Sequence, residues 1–223
     1  EVLREFQKRH QFHIEQVTRC FFYNGAAFQE RMALVCEHYR YLSEIMQPEA
    51  FMQISCNNSR PRYKLWENEF EGQPIWAELM MEAGQRKEGC LSVMLKYEER
   101  AFYQIIFWIN QDKDGNEAMY IGAMQGPNVD ESRDAIKRMT KWAHGYRTKN
   151  LILYMTQAVA RALRLKKIYA VSNYGYYANN HVRADRKLKT NFGDFWLEAG
   201  GKETEDERFY ELPLVEHRKT MEE

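Results

Sequence analysis

Residues 118–126 read AMYIGAMQG, and the change of pattern on either side of them decides the fold. Upstream lie four more segments rich in aromatic and branched residues, Tyr63–Phe70, Pro74–Glu82, Cys90–Tyr97 and Ala101–Asn110, a composition that favours strands. The links are short: EGQ, AGQRKEG, EER, and QDKDGNE with its Asp114-Gly115 turn signal. Such spacing predicts an antiparallel meander. Within it AFYQIIFWIN, residues 101–110, is almost continuously apolar, as expected of a central strand covered on both faces. Downstream, after the Gly126-Pro127 turn, the period becomes helical. One helix is predicted over Ser132–Ala143, and a second runs from a Thr148 cap to about Leu165, with Leu151, Met155, Val159 and Ala162 on one stripe. KIYAVS then returns as a strand over Lys167–Ser172, placed to lie parallel to AMYIGAMQG. A short helix, Phe192–Ala199, ends at Gly200-Gly201, and Arg208–Leu212 is a last strand.

The first third reads helical. Gly25–Met46 carries Phe28, Met32, Leu34, Val35, His38, Leu42 and Ile45 at helical spacing, with Pro48 as its stop. Phe6–Tyr23 is a second helical segment, and residues 47–62 read as a loop around a short strand, Phe51–Ser55. The expected class is α+β: N-terminal helices, an antiparallel meander sheet, then helix–strand–helix–strand. We read residues 1–223 as a single domain, with a helical part over 1–50 and a sheet-and-helix part over 63–217.

Lysine plus arginine and aspartate plus glutamate balance at 32 each, so net charge selects no partner. Its distribution is more informative. Residues 133–167 are basic, with Asp134 the one acid among ten cations, and His181, Arg183, Arg186, Lys187 and Lys189 follow. Such a face suits an anionic ligand: a phosphorylated cofactor, an acidic carrier protein, nucleic acid or lipid headgroups. The four cysteines are scattered without a CxxC pair, which argues against a zinc site or a disulfide framework and for a cytoplasmic protein with reduced thiols. No apolar run approaches the ~20 residues of a membrane span.

At KWAHGYRTKN, residues 141–150, cations stand ahead of a predicted helix N-terminus, the end that already carries about half a positive charge. Free amides there can hold phosphate oxygens, so Gly145, Tyr146, Arg147, Thr148, Lys149 and Asn150 are expected to bind a pyrophosphate. Alternatively, Gly145 ends the preceding helix and both cations stay in solvent. Gly122, Met124 and Gln125, on the closing meander strand, face the same crevice. This layout looks like the GCN5-related N-acetyltransferase fold, which binds coenzyme A in this way. Trp142 and Arg147 depart from it, standing where that fold has Arg or Gln and Gly or Ala. Arg147 would crowd a tightly wrapped pyrophosphate, so carrier-protein phosphopantetheine is the other acyl donor expected.

A second resemblance covers residues 25–217. CEHYRYL, MYIGAMQGP, TKWAHGYRTKNLI, KKIYAVSN and FGDFWLEAGG followed by ERFYELP resemble the VirK/YbjX family of bacterial proteins, linked to virulence and to resistance against cationic antimicrobial peptides. Thr148 stands where relatives tend to have Pro, Tyr176 where an SNxxH-like pattern would put His, and Asn191-Phe192 where they have Asp-Tyr. If that His is catalytic in relatives, this chain uses Tyr176 or has lost the step.

Acyl transfer needs a proton taken from an amine and a proton given to a thiolate. SNYGYYANNH, residues 172–181, follows the KIYAVS strand beside the crevice. Tyr176 or Tyr177 can protonate the thiolate, Ser172 and Asn173 can orient the donor, and His181 or His144 can act as base. No Ser-His-Asp set, metal-ligand cluster or P-loop is present in the sequence. The leading expectation is an acyltransferase acting on an amine of a peptide, protein or envelope precursor. The alternatives are an accessory binding protein without turnover, or a transferase whose donor is an aminoacyl-tRNA.

Overall fold

The computed structural model describes residues 1–10, 12–56, 61–127, 129–179 and 191–216, with only the backbone of 129–132. Its centre is an eight-stranded sheet in the order β1-β2-β3-β4-β5-β6-β8-β7. The meander supplies β1 (Tyr63–Phe70), β2 (Gln73–Met80), β3 (Leu91–Tyr97), β4 (Arg100–Gln111) and β5 (Glu117–Gln125), each antiparallel to the last. The helices α5 (Val129–Trp142) and α6 (Thr148–Ala162) then carry the chain to β6 (Lys167–Val171), which pairs parallel with β5. β8 (Phe209–Leu212) continues the sheet antiparallel to β6, with the short β7 (Lys202–Glu203) outside it.

The two faces of the sheet differ. Register and alternation place Ile75 and Leu79, Val93 and Leu95, Ile105, Phe107 and Ile109, Met119 and Ile121, and Ile168 on one face. These join Leu34, Val35 and Leu42 of α3 (Phe28–Ile45) and Ile152, Leu153 and Val159 of α6 in one apolar core. Burying each such side chain contributes about 1.5–3 kcal/mol. The other face carries Glu78, Ser92, Gln104 and Gln125 in its upper part and a ladder of rings, Trp108, Tyr120 and Tyr169, in its lower part. β4 is buried from Gln104 through Ile109, as its near-continuous apolar sequence requires.

Two details shape the crevice. Pairing of β5 with β6 covers Ala118–Ile121 against Lys167–Ala170, so among the described residues Gly122–Gln125 run on without a strand partner on that side. On the other side the register steps from Ile106↔Ala123 to Phe107↔Ile121, which leaves Gly122 as the extra residue of a bulge. Bulges of this kind bend a strand and redirect its groups.

The N-terminal part departs from expectation in two places. Phe6–Tyr23 is two short helices, α1 (Val2–Arg9) and α2 (His13–Thr18), followed by irregular chain. Phe51–Ser55 is not a strand but the end of α4 (Pro48–Ser55). Pro48 sits in that helix's first turn, where its missing N–H costs nothing, and Phe51, Ile54 and Ser55 bury one face at helical spacing. Thr148 is the first residue of α6 and Arg147 occupies its cap. Beyond the predicted strands, β7 adds two residues at the sheet edge.

Candidate functional site

The loop between β2 and β3 folds back over the polar face. Its path is fixed from far away in sequence: Phe22 N–H donates to Lys87 O (2.8 Å), Gln16 Nε2 donates to Arg86 O (3.1 Å) and Gly89 O (3.0 Å), and Arg86 pairs with Glu15 at 2.7 Å. The loop lies directly on the bulge. A Cβ at Gly122 would come within 1.8 Å of Glu88 O, and one at Gly89 within 2.6 Å of Phe107 O. Only glycine allows this approach of backbone to backbone.

This contact delivers the Glu88 side chain to the place where β5 and β6 part. Glu88 is 3% exposed. Tyr176 Oη donates to its Oε1 at 2.7 Å, and Gln125 Nε2 donates to its Oε2 at 3.1 Å and to Gln85 Oε1 at 2.6 Å. Behind Gln125 the row continues: Gln104 Nε2 donates to Gln125 Oε1 and Ser92 Oγ to Gln104 Oε1, both at 3.3 Å. Farther along the same face Trp76 Nε1 donates to Glu78 Oε1 at 2.7 Å, and Lys96 Nζ stands 3.4 Å from its other oxygen. Buried polar groups are expensive unless paired, so a hydrogen-bonded row across one face of a sheet marks a place where chemistry outweighs packing.

The carboxyl of Glu88 is raised above the usual carboxylate range by burial, opposed by the hydrogen bonds from Tyr176 and Gln125. Burial, then the Glu88 carboxylate, hold the Tyr176 phenol far above its ordinary value. A buried acid pushed upward beside a protonated phenol is the kind of pair from which general acid–base catalysis is built.

Of the residues singled out from sequence, the structure brings Tyr176, Gly122 and Gln125 together around Glu88; Met124 does not face them, because it pairs opposite Ile105 and packs against the apolar core. Tyr176 is held there by a backbone bridge to Tyr23 and by Gly175, whose absent Cβ makes room for Arg208 O. Asn173 and Ser172 brace the turn: Asn173 Oδ1 accepts from Phe192 N (2.7 Å) at the start of α7 (Phe192–Glu198), and Ser172 Oγ donates to Glu207 O (2.7 Å) and accepts from Gly175 N.

The stretch 141–150 is placed differently. His144 (φ 53°) and Gly145 (φ 87°) end α5, with Gly145 N–H returning to Thr140 O. A positive φ is what requires glycine at 145, since a Cβ there would meet nothing within 4 Å. Arg147 and Lys149 both pair with Glu198, at the end of α7, and Lys149 Nζ lies 4.5 Å from the Phe195 ring centre. The Tyr146 hydroxyl donates to Glu216 at 2.7 Å. Thr148 is buried, and neither its Oγ1 nor Asn150 Oδ1 has a hydrogen-bond partner among the described residues. His181 and the basic cluster after it lie outside the described residues.

Sequence reasoning missed Glu88, Gln85, Gln104 and Ser92. Glu88 sits in a segment that reads as a plain link. Its one signal is an acid next to a glycine, which carries no weight until the loop is seen lying on Gly122.

The class so defined is an α+β protein with a mostly antiparallel sheet and a buried acid–phenol pair at the parallel β5–β6 junction. The chain belongs to the family described as "Protein of unknown function (DUF535)", which matches residues 1–223. It is similar to the uncharacterized protein YbjX of Escherichia coli (29% identity over 187 residues, 82% of this chain and 56% of that protein). It is also similar to an uncharacterized protein of Haemophilus influenzae (24% over 189 residues, 83% of this chain and 58% of that protein). The chain thus spans a little over half the length of the curated relatives it matches. The family resemblance read from MYIGAMQGP, TKWAHGYRTKNLI and KKIYAVSN stands. Among the described residues, no helix is long and apolar enough to cross a membrane.

Proposed function

We propose that this protein transfers an acyl group from a thioester donor, coenzyme A or a carrier-protein phosphopantetheine, to an amine of a peptide, protein or envelope precursor, on an N-acetyltransferase-like fold. The observation that carries this reading is the convergence of Glu88, Tyr176 and Gln125 where β5 loses its parallel partner at the Gly122 bulge. The backbone of Gly122–Gln125 suits an amide-bearing pantetheine arm, because among the described residues its N–H and C=O groups have no strand partner on the β6 side.

When bound, the thioester supplies the activated carbonyl. Glu88, raised by burial, accepts a proton from the attacking amine. Tyr176 Oη gives its proton to the departing sulfur and recovers one from Glu88 through their 2.7 Å hydrogen bond. One proton leaves the amine and one reaches the thiol, so the relay balances and both residues return to their starting state.

The test is isothermal titration with coenzyme A, an acyl-coenzyme A and an acyl carrier protein. Saturable binding of at least one supports the reading; binding of none removes it. The α6 N-terminus is a weakened pyrophosphate site as it stands, because Glu198 pairs with both Arg147 and Lys149 and offsets one of their two charges. If the donor's phosphates use that end, Glu198→Gln tightens donor binding by about three- to tenfold, as removal of a nearby like charge would. Unchanged affinity places the phosphates elsewhere.

A second reading, recognition without turnover, is favoured by one observation: both oxygens of Glu88 are already engaged. It predicts that Tyr176→Phe leaves donor affinity and cellular phenotype intact, whereas the catalytic reading predicts unchanged affinity with lost transfer.

A further inference from the structure

The lower half of the polar face opens into a groove of about 1010 Å³ that the Glu88 site does not use. Its floor is aromatic. Tyr120 and Tyr169 stack with centres 5.0 Å apart, and Phe209 meets Tyr120 edge-on at 5.4 Å. Trp108, stacked on Tyr120 at 5.5 Å and on Tyr23 at 6.0 Å, continues the ladder toward the Tyr23–Tyr176 bridge. One wall is the β4–β5 turn around Asp112 and Asp114; the other is the β7–β8 connection from Glu203 to Arg208.

The lining carries seven carboxylates and three cations. Each cation is already paired inside the groove: Lys113 with Glu205, Lys167 with Glu211, and Arg208 with Asp206. That leaves Asp112, Asp114, Glu203 and Glu207 without a cationic partner among the described residues. Asp112 is buried and already accepts from Asp114 N, Asn116 and Tyr169 Oη, so the exposed carboxylates that face a ligand are Asp114 on one wall and Glu203 and Glu207 on the other. The charge is spread along the walls. No group of three His, Cys, Asp or Glu among the described residues is placed to hold a metal ion. Separated carboxylates over a row of rings match an extended organic cation, whose ammonium groups meet the walls while its methylenes lie on the aromatic floor.

We propose that this groove binds a linear aliphatic polyamine. The groove more than accommodates such a chain, so the charged walls and the aromatic floor, not the volume, carry the match. The groove also ends at the turn that presents Tyr176. Tyr174 and Asn24 line it, and Asn24 donates from its N–H to Gly175 O (2.8 Å) and from its Nδ2 to Tyr174 O (3.1 Å). A role for the polyamine as acyl acceptor rests on the proposed transferase reading; its binding does not.

The experiment is titration of the purified chain with spermidine in the absence of any acyl donor, with 1,8-octanediol as the uncharged chain and magnesium chloride as the bare cation. Saturable one-to-one binding of spermidine is expected, weakened at least fivefold in Asp114→Asn/Glu207→Gln, whose exposed positions leave the fold intact. Tyr169→Leu is expected to weaken it as well, with the fold checked by circular dichroism. The diol should not bind, and magnesium at equal charge should not displace spermidine. Absence of saturable binding, affinity unchanged in the carboxylate variant, full displacement by magnesium, or binding of a lysine-rich peptide without spermidine would each overturn the proposal. Because no donor is present, these outcomes are independent of whether the chain binds coenzyme A.

Discussion

Gly122→Ala is expected to cost about 3 kcal/mol of unfolding free energy and to detach Glu88 from its partners. The new Cβ would stand 1.8 Å from Glu88 O and 2.9 Å from its carbonyl carbon, so it meets backbone. The Trp108 ring blocks a third direction at 3.0 Å. The loop cannot lift freely, because Lys87 O accepts from Phe22 N and Gly89 O from Gln16 Nε2. Relief therefore breaks these bonds or those of Glu88 to Tyr176 and Gln125. The measurement is urea unfolding of wild type and variant. A loss below about 0.5 kcal/mol, the range of ordinary surface substitutions, would mean that the Glu88 loop does not rest on the bulge.

Acid is expected to weaken the N-terminal helices well above the pH at which carboxylates usually fail. His38 is fully buried; its Nδ1 accepts from Ile109 N at 3.0 Å, which leaves its Nε2–H without a partner among the described residues. Burial, with a smaller effect of His10, lowers its pKa to about 3. His10, 3% exposed and stacked on Phe6, is lowered to about 4, again chiefly by burial and next by His13. Both values lie below the 6.5 of a free histidine, so protons bind preferentially to the unfolded chain. Stability is complete above pH ~6.5 and falls as pH drops toward the folded values. Each histidine contributes about 1.4 kcal/mol per pH unit, so the two together remove on the order of 5 kcal/mol between pH 6.5 and 4.5. Denaturation midpoints across that range check this. His38→Asn keeps an acceptor for Ile109 N–H and abolishes one titration, so its pH slope should be about half as steep. An unchanged slope would assign the acid sensitivity to other groups.

Much of the fold was legible because its signals are local. The meander, the late crossover and the buried β4 follow from alternation, turn residues and an apolar run. α4 is hidden in the sequence because Pro48 reads as the end of one helix, where it begins another. Half of the site was legible for the same reason: Gln125 ends a recognisable strand, and Tyr176 follows another. Glu88 was not, because its position depends on Gln16, Phe22 and Gly122, remote in sequence and tied to its loop only after folding. At KWAHGYRTKN, the sequence shows the cations Arg147 and Lys149 but hides their partner, Glu198, about fifty residues later.

The most direct test of the acid–phenol centre is the rate of thiol release from an acyl donor in the presence of an amine, for wild type, Glu88→Gln and Tyr176→Phe across pH 5–9. Amine-dependent release by the wild type is expected to rise with an apparent pKa above the usual carboxylate range, in keeping with the buried Glu88. Each substitution should lower it by ~100- to 10,000-fold, the span of general acid–base catalysis, with donor affinity retained. Amine-dependent release that is equally fast in Glu88→Gln and Tyr176→Phe would contradict the account.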